Sequence, residues 1–217
     1  MAGCSHARYA DDTFVASAAA LRPCVVLLTM DVPANKKGES PDSEYATGTI
    51  IASGAWGSDV LTVEHALENA WNLRATINNN VKSAAHVVAK DADLDVALLR
   101  IPQKHLPVAQ LGQAQDAQPG RMIGLVGYPI PDQFDDEGLG LATSLNSGRV
   151  SSLRQDAIEV TVPIVPGESG SPVFLADNGE IIGIAESRFD EERSIGFALP
   201  IDDAKKFLHH VDRSHGF

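Results

Sequence analysis

The stretch Pro166-Gly167-Glu168-Ser169-Gly170-Ser171-Pro172-Val173-Phe174 decides how this chain is interpreted. It places a serine between two glycines, in a turn bounded by prolines, and an apolar run follows. Glycine lets the backbone approach a ligand closely and adopt angles that other residues resist. Such a turn can aim two amide N–H groups at one point and stabilise a developing oxyanion there. Ser169 is therefore the predicted nucleophile, and the N–H groups of Gly167 and Ser169 form the predicted oxyanion hole.

A serine hydroxyl needs a base, and two upstream segments supply the partners. Residues 60–67 read Val-Leu-Thr-Val-Glu-His-Ala-Leu, which indicates a strand with His65 near its end. Asp95 opens an apolar run at residues 96–99. The chain order His65, Asp95, Ser169 is a known order for a base, its orienting carboxylate and its nucleophile. His65 is predicted to take the serine proton, and Asp95 to fix the imidazole tautomer.

Other interpretations of the serine turn fit less well or remain open. An α/β-hydrolase elbow requires Gly-x-Ser-x-Gly and then a helix, but residue 171 is Ser and residues 172–175 continue as a strand. By itself, the turn also fits a tight β connection with a solvent-exposed serine. The sequence has neither a His-Glu-x-x-His motif nor paired cysteine spacing, so we expect no metal and no cofactor.

Six ordered motifs resemble the HtrA/Deg family of trypsin-like serine proteases. Three of them hold the predicted triad, at residues 62–67, 94–98 and 167–171. The others are residues 126–129 (Val-Gly-Tyr-Pro), 147–151 (Ser-Gly-Arg-Val-Ser) and 195–200 (Ile-Gly-Phe-Ala-Leu-Pro). The resemblance implies a serine endopeptidase that cleaves polypeptides, unfolded ones among them, through an acyl-enzyme. It also selects Asp95 over Asp91 and Asp93, because only Asp95 directly precedes Val-Ala-Leu-Leu.

The chain departs from the family pattern near the predicted site. Glu64 precedes His65 where the family usually has Ala, and Glu186 takes the place of a small polar residue. Glu168 and Ser171 also replace the usual residues beside the serine. These changes leave a second hypothesis, a protease-fold protein of weak or no activity that binds peptides or partner proteins.

Many short strands between turn signals are typical of β-barrels or a β-sandwich. The resemblance implies an all-β chain of two packed six-stranded antiparallel barrels with short terminal helices. We predict an N-terminal tail and helix (1–21), a first barrel (22–114), a second barrel (115–201) and a C-terminal helix and tail (202–217). A hairpin of strands 75–77 and 86–89 is expected around residues 78–80.

The resemblance also places a specificity pocket for the residue before the scissile bond, P1. The predicted substrate-binding residues are Ile164, Val165, Pro166, Ala185, Glu186, Ser187, Gly196 and Phe197. Residues 163–165 hold no aspartate that would fix a basic side chain, so we expect a small or medium apolar P1 residue. The alternative is that these apolar residues simply pack the second barrel.

The net charge of −12 disfavours binding to nucleic acid. No apolar run approaches the ~18 residues of a membrane span. Acidic residues gather at 132–137 and 190–192, where they indicate solvated loops or a contribution to a preference for basic substrates.

Only two cysteines are present, and the N-terminus lacks the apolar core of a signal peptide, so we expect an intracellular, cytoplasmic protein, with an organelle left open. We also expect no PDZ domain. The resemblance implies either a homotrimer, held through Tyr9 and Phe14, or a monomer.

Overall fold

The computed structural model describes residues 5–34, 39–186 and 195–215, with side chains from Asp12 to Asp212 within those ranges. Its helices are α1 (Ser5–Leu21), α2 (Pro131–Asp136) and α3 (Ile201–His215). Helix α1 ends where a single 3-10 turn with Pro23 begins, because proline disrupts a continuing helix. Among the described residues, no helix is long and apolar enough to cross a membrane.

The first half of the chain forms a seven-stranded antiparallel sheet in the order β5-β4-β1-β2-β3-β7-β6. Its strands are β1 (Val25–Val32), β2 (Asp42–Gly54), β3 (Gly57–Thr62), β4 (Trp71–Ile77), β5 (Val81–Ala84), β6 (His86–Asp91) and β7 (Val96–Ile101). The edge strands β5 and β6 are separated in the chain only by Ala85. The sheet curls as a half-barrel around its own core, which includes Val26, Ile50, Val60 and Leu99, but no ladder among the described strands joins β5 to β6 and closes it as the predicted barrel.

The second half forms a closed barrel of six strands in the order β10-β13-β12-β11-β8-β9. The strands are β8 (Met122–Gly127), β9 (Ser144–Leu153), β10 (Ile158–Val160), β11 (Pro172–Leu175), β12 (Ile181–Glu186) and β13 (Gly196–Pro200). Its interior is filled by β-branched and other aliphatic side chains, including Ile123, Leu125, Val160 and Val173.

A third apolar cluster joins the two halves and both terminal helices. It includes Leu61 and Val63 from the first half of the chain, Phe174 and Ile184 from the second barrel, and Phe207 from α3. The predicted site residues lie on segments that leave these strands, so this shared core fixes the two halves of the site relative to each other.

Phe14 of α1 stacks on Phe174 of β11, with ring centroids 5.9 Å apart. It therefore packs on its own barrel. The side chain of Tyr9, the other residue expected at a trimer contact, lies outside the described residues.

The all-β, chymotrypsin-like fold is confirmed, with differences in detail. The first unit has seven strands, because β5 lies between the two strands of the predicted hairpin. Strand β4 pairs with β5 across the Asn turn at residues 78–80, and β6 pairs with β7. The division of the chain at residues 22–114 and 115–201 stays a prediction.

The acidic segment after Pro131 is a short helix, whereas the sequence indicated a loop. Proline is favoured in the first turn of a helix, where its missing N–H costs no hydrogen bond.

Candidate active site

His65 begins a single 3-10 turn, His65–Leu67, just after strand β3. Asp95 stands directly before β7, the strand that pairs with β3. The ladder therefore brings the start of one strand beside the end of the other. The side chains of His65 and Asp95 meet at that point.

Asp95 holds both the backbone and the ring of the histidine. Its Oδ1 accepts hydrogen bonds from the backbone N–H groups of Glu64 (3.0 Å) and His65 (2.8 Å). Its Oδ2 lies 2.7 Å from His65 Nδ1. A carboxylate only accepts, so Nδ1 carries the proton and Nε2 of the neutral ring is left as the basic nitrogen.

Asp95 adopts a left-handed backbone conformation, with φ +52°. Aspartate tolerates this region better than most residues. The rival Asp91 has a different task, because its Oδ1 accepts hydrogen bonds from the N–H groups of Asp93 and Leu94 and closes the turn before β7. Of the three aspartates, Asp95 is the one bonded to His65.

Negative charge surrounds the imidazole. The hydrogen bond to Asp95 raises the pKa of His65 above its ordinary value, burial opposes that rise, and the charges of Asp95, Glu186 and Glu64 add to it. Glu64 is paired with Lys90 at 2.6 Å. Glu186, at the end of β12, is only 4% exposed.

The turn that carries Ser169 is fastened by its own backbone. The N–H of Glu168 donates to the carbonyl of Val165 (3.0 Å), and the N–H of Ser171 donates to the carbonyl of Glu168 (2.9 Å). The N–H of Gly170 donates to the carbonyl of Ala185 in β12 (2.8 Å). These three bonds use the N–H groups of residues 168, 170 and 171 and leave those of residues 167 and 169 without a partner among the described residues.

The N–H groups left over are those of Gly167 and Ser169. Within residues 5–34, 39–186 and 195–215, neither meets a hydrogen-bond acceptor. Gly167 has a φ of +91°, in the region that favours glycine. Two unpaired donors two positions apart are what an oxyanion hole requires.

Thr47 of β2 holds the serine turn in place through hydrogen bonds. Sequence reasoning did not identify Thr47 as part of the site. Its hydroxyl donates to the carbonyl of Gly167 (2.7 Å) and accepts from the N–H of Tyr128 (3.1 Å). Its N–H donates to the carbonyl of Ser169 (2.8 Å). Its carbonyl accepts from the hydroxyl of Thr62 (2.8 Å). A single residue of the first sheet thus positions the serine turn of the second barrel.

Glu168 points away from solvent and is fully buried. Its two carboxyl oxygens accept hydrogen bonds from Asn146 Nδ2 and from the N–H of Val165, each at 3.1 Å. Burial raises the pKa of Glu168, while these two hydrogen bonds act in the opposite direction. Through these two hydrogen bonds, the Glu168 side chain stabilises the serine turn from its buried side.

His65 and Ser169 line one cleft of about 550 Å³ at the junction of the two halves. The other lining residues are Val32, Pro33, Ser43, Glu44, Tyr45, Ala66, Glu68, Asn69, Pro131, Asp132, Pro166 and Gly167. The cleft therefore brings the predicted base, nucleophile and oxyanion-hole residues to the same space.

The predicted specificity residues are only partly at this cleft. Pro166 lines it, and Glu186 lies close enough to influence His65. Ala185 is fully buried in the barrel core, Ile164 packs against that core, and Gly196 lies where a Cβ would meet the carbonyl of Val162 at 2.2 Å. Phe197 pairs with Glu186 in the ladder of β12 and β13. Ser187 lies outside the described residues.

Sequence reasoning also missed the wall of the cleft formed by β2 and α2, including Tyr45 and Pro131. The acidic run at residues 132–137 was the one signal of this wall in the sequence.

A family model for the trypsin-like peptidase domain matches residues 46–184. This range contains His65, Asp95 and Ser169 and covers more than half of the chain. The chain therefore belongs to the trypsin-like peptidase family.

Curated relatives are serine proteases of the HtrA and DegP type. The chain is 29% identical over 187 residues to a probable periplasmic serine endoprotease, DegP-like, from Halomonas elongata, covering 81% of this chain and 37% of that protein. It is 31% identical over 185 residues to the putative serine protease HhoB from Synechocystis sp., covering 79% of this chain and 42% of that protein. The chain thus spans well under half the length of these relatives.

Solved structures share the fold. The HtrA-type protease AlgW with a tripeptide superposes with a TM-score of 0.74 at 24% identity, covering 94% of this chain and 64% of that one. A serine endoprotease from Yersinia pestis gives a TM-score of 0.72 at 23% identity, covering 92% and 66%. Because these sequence identities are low, the structural similarity shows the shared fold alone.

The prediction of an intracellular, cytoplasmic location is wrong, because relatives from Halomonas elongata and Pseudomonas fluorescens are named periplasmic endoproteases. The argument from cysteine content failed for a physical reason. Cys24 is a free thiol buried in the core, so packing holds this region without a disulfide. Such packing is indifferent to the redox state of the surroundings, and scarce cysteines do not identify the compartment.

Proposed function

We propose that this protein is a serine endopeptidase that hydrolyses polypeptides through His65, Asp95 and Ser169. The observation that carries the proposal is the 2.7 Å hydrogen bond from His65 to Asp95, in a cleft that Ser169 also lines. In the proposed reaction, His65 Nε2 takes the proton of the Ser169 hydroxyl as its oxygen attacks the scissile carbonyl carbon. The imidazolium then gives that proton to the leaving amine.

The N–H groups of Gly167 and Ser169 are proposed to hold the negative oxygen of the tetrahedral intermediate. Their lack of protein acceptors within the described ranges supports this role. Water then enters, His65 takes its proton, and the acyl-enzyme ester is hydrolysed to release Ser169. We also propose a small or medium apolar P1 residue, because Ile164 and Val165 lead into the serine turn without a carboxylate.

The first experiment compares the wild-type protein with the Ser169→Ala variant on an unfolded protein substrate, with a fluorophosphonate probe as a second readout. Loss of one triad member in a serine protease costs on the order of 10⁶-fold in kcat. We expect cleavage to fall to background in Ser169→Ala and the probe to label only the wild-type protein, at Ser169. Equal cleavage by both proteins would exclude Ser169 as nucleophile. Resistance of the wild-type protein to the probe and to substrate, with peptide binding retained, would favour the peptide-binding hypothesis.

A further inference from the structure

A second cavity of about 360 Å³ adjoins the cleft that contains His65 and Ser169. Ser43, Tyr45, Pro131 and Asp132 line both spaces. The two therefore form one groove, which runs from the serine between helix α2 and the face of β1, β2 and β4. We call it the α2 groove.

The end of the α2 groove nearest the serine is acidic. Glu44, Glu68 and Asp132 line it, and among its described lining residues there is neither a lysine nor an arginine. Asp135 and Asp136 of α2 continue the acidic wall into the second cavity.

No described residue neutralises these carboxylates. In the part of the chain that the structure describes, none of the five forms an ion pair or a side-chain hydrogen bond. Acidic groups elsewhere do find cations: Asp59 binds Arg100 at 2.8 Å, and Glu64 binds Lys90 at 2.6 Å. The described residues therefore leave these exposed carboxylates accessible to a cationic ligand.

The wall of the second cavity also carries positive charge, but less positive than negative charge. Arg74 and Lys82 face the second cavity, together with Asp31, Asp132, Asp135 and Asp136. Arg74 Nη2 already donates to Asn72, which in turn donates to Asp31 (3.1 and 2.9 Å). Negative charge therefore predominates along the groove, and most strongly at the end near His65.

A buried hydroxyl in the groove is also without a partner. Thr76 of β4 is 2% exposed and lines the second cavity. Its neighbours Ala75 and Ile77 lie in the core of the sheet, so alternation along the strand turns Thr76 to the opposite face, toward the groove. Among the described residues, no group hydrogen-bonds to this hydroxyl, which faces the cavity instead. An ammonium or guanidinium group that enters the groove can donate a hydrogen bond to its oxygen.

Tyr45 lines both cavities, and the negative charges of helix α2 affect its pKa. Burial raises the pKa of Tyr45, and the charges of Asp132, Asp136 and Asp135 raise it further, while a hydrogen bond with Ser43 lowers it. The negative field of α2 therefore reaches the point where the cleft opens into the second cavity.

The groove lies on the side from which the leaving group departs. His65 donates its proton to the leaving amine, so the residues after the scissile bond pass beside His65. The lining residues Ala66, Glu68 and Asn69 follow His65 in the chain. The proposed P1 wall, in β12 and β13, contributes none of the described lining residues of either cavity.

We propose that the α2 groove is a subsite that selects lysine or arginine at the first or second position after the scissile bond. This proposal rests on the proposed endopeptidase function. The acidic wall provides the charge complement, and Thr76 provides a hydrogen-bond acceptor at the floor.

The test uses fluorogenic peptides that differ only in those two positions, which carry Lys, Ala or Glu. Exposed ion pairs are each worth up to ~1 kcal/mol, so kcat/KM for the Lys peptide should exceed that for the Ala peptide by about fivefold. The Glu peptide should be the poorest substrate. The preference should shrink in about 1 M salt, where the screening length falls to ~3 Å.

The double variant Asp132→Asn, Asp135→Asn should lower the ratio of kcat/KM for the Lys and Ala peptides toward one, because it removes two of the five carboxylates. Glu137→Gln is the matched control, because it removes a charge from the residue that follows α2 without touching either cavity. It should keep the wild-type ratio. A ratio of one in the wild-type enzyme, or a ratio unchanged in the double variant, would overturn the proposal.

Failure of the endopeptidase function would be seen separately. Fluorescence anisotropy with labelled Lys and Ala peptides measures binding to Ser169→Ala, which needs no catalysis. Tighter binding of the Lys peptide that depends on Asp132 and Asp135 supports the subsite even if no peptide is cleaved. Equal Kd values for the two peptides would overturn the subsite and leave the cleavage result to decide the function.

Discussion

At the scale of the residue, His65 is distinguished by the number of carboxylates around it. Asp95 bonds to the ring, and the charges of Glu186 and Glu64 add to its effect, so the pKa of His65 is raised. A general base must be neutral to accept a proton. Because protonation inactivates the base, activity is lost as pH falls through this pKa. The acid limb of kcat/KM should therefore lie above the ordinary histidine value of about 6.5.

Replacing Glu64 with Gln should move that limb to lower pH. The substitution removes one negative charge near the imidazole and leaves the Lys90 ammonium without its 2.6 Å partner. Both changes disfavour the imidazolium, so the pKa of His65 falls and activity persists into more acidic buffer. The measurement is a kcat/KM profile against pH for both proteins.

Asp177→Asn is the control for this profile. Asp177 is an exposed carboxylate paired with Arg121 at 2.7 Å, and its charge is not among those that act on His65. It should leave the acid limb in place. An acid limb that stays fixed in Glu64→Gln would show that Glu64 is not coupled to the base.

At the scale of the element, the serine turn depends on a backbone shape that only glycine provides. Gly167 has a φ of +91°, and a Cβ there would lie 2.3 Å from the carbonyl oxygen of Tyr128 and 2.7 Å from Pro131 Cδ. The N–H of Ile130 donates to the carbonyl of Pro166 at 2.7 Å and ties the segment before α2 to the same turn. The turn has no room to move away from an added methyl group.

Gly167→Ala should displace the N–H of the proposed oxyanion hole and lower kcat by at least ~100-fold, the typical effect of losing one such donor. Turnover of a peptide substrate, with circular dichroism to check folding, measures this.

Gly138→Ala provides the comparison, because Gly138 also has a positive φ (+71°) but nothing within 4 Å of a built Cβ. It should cost ~1–2 kcal/mol of stability from the left-handed backbone and keep kcat. Similar kcat values for the two variants would show that the shape of the turn does not control the reaction.

At the scale of the whole molecule, the site exists because two sheets share one core. Phe174 of the second barrel lies in the same cluster as Leu61 and Val63 of the first half of the chain, and Phe14 of α1 stacks on it. Helix α1 therefore covers one side of the core that the two halves share.

Phe14→Ala should remove this stacking contact. Truncation of a fully buried Phe costs ~3–5 kcal/mol, and Phe14 is half-buried, so we expect a loss of about 2 kcal/mol in the free energy of unfolding. In a chain of this size that corresponds to a Tm lower by about 4–8 °C. Differential scanning calorimetry measures the shift.

Val15→Ala is the matched variant, one residue along the same helix but 62% exposed. Its effect should stay within about 0.5 kcal/mol. Equal Tm values for the two variants would show that α1 does not stabilise the joint core.

The sequence predicted the chemistry of the candidate site better than its surroundings. His65, Asp95 and Ser169 were each proposed from a few neighbouring residues, because a strand end, a residue before an apolar run and a glycine-flanked turn are local patterns. The hairpin at residues 75–89 was predicted wrongly, since the short polar strand β5 has no strong alternation of its own. Helix α2 was missed because six residues with one proline carry little periodic signal.

By itself, the sequence predicted which groups are candidates for base, orienting carboxylate and nucleophile, and it determined the all-β class. Only the tertiary structure decided that Thr47, 120 positions before Gly167, holds the serine turn. It alone also set α2 opposite Thr76 to enclose an acidic groove. The physical reason is that reactive groups and strand patterns are properties of neighbouring residues, whereas a clamp or a groove arises where distant segments come together on one shared core.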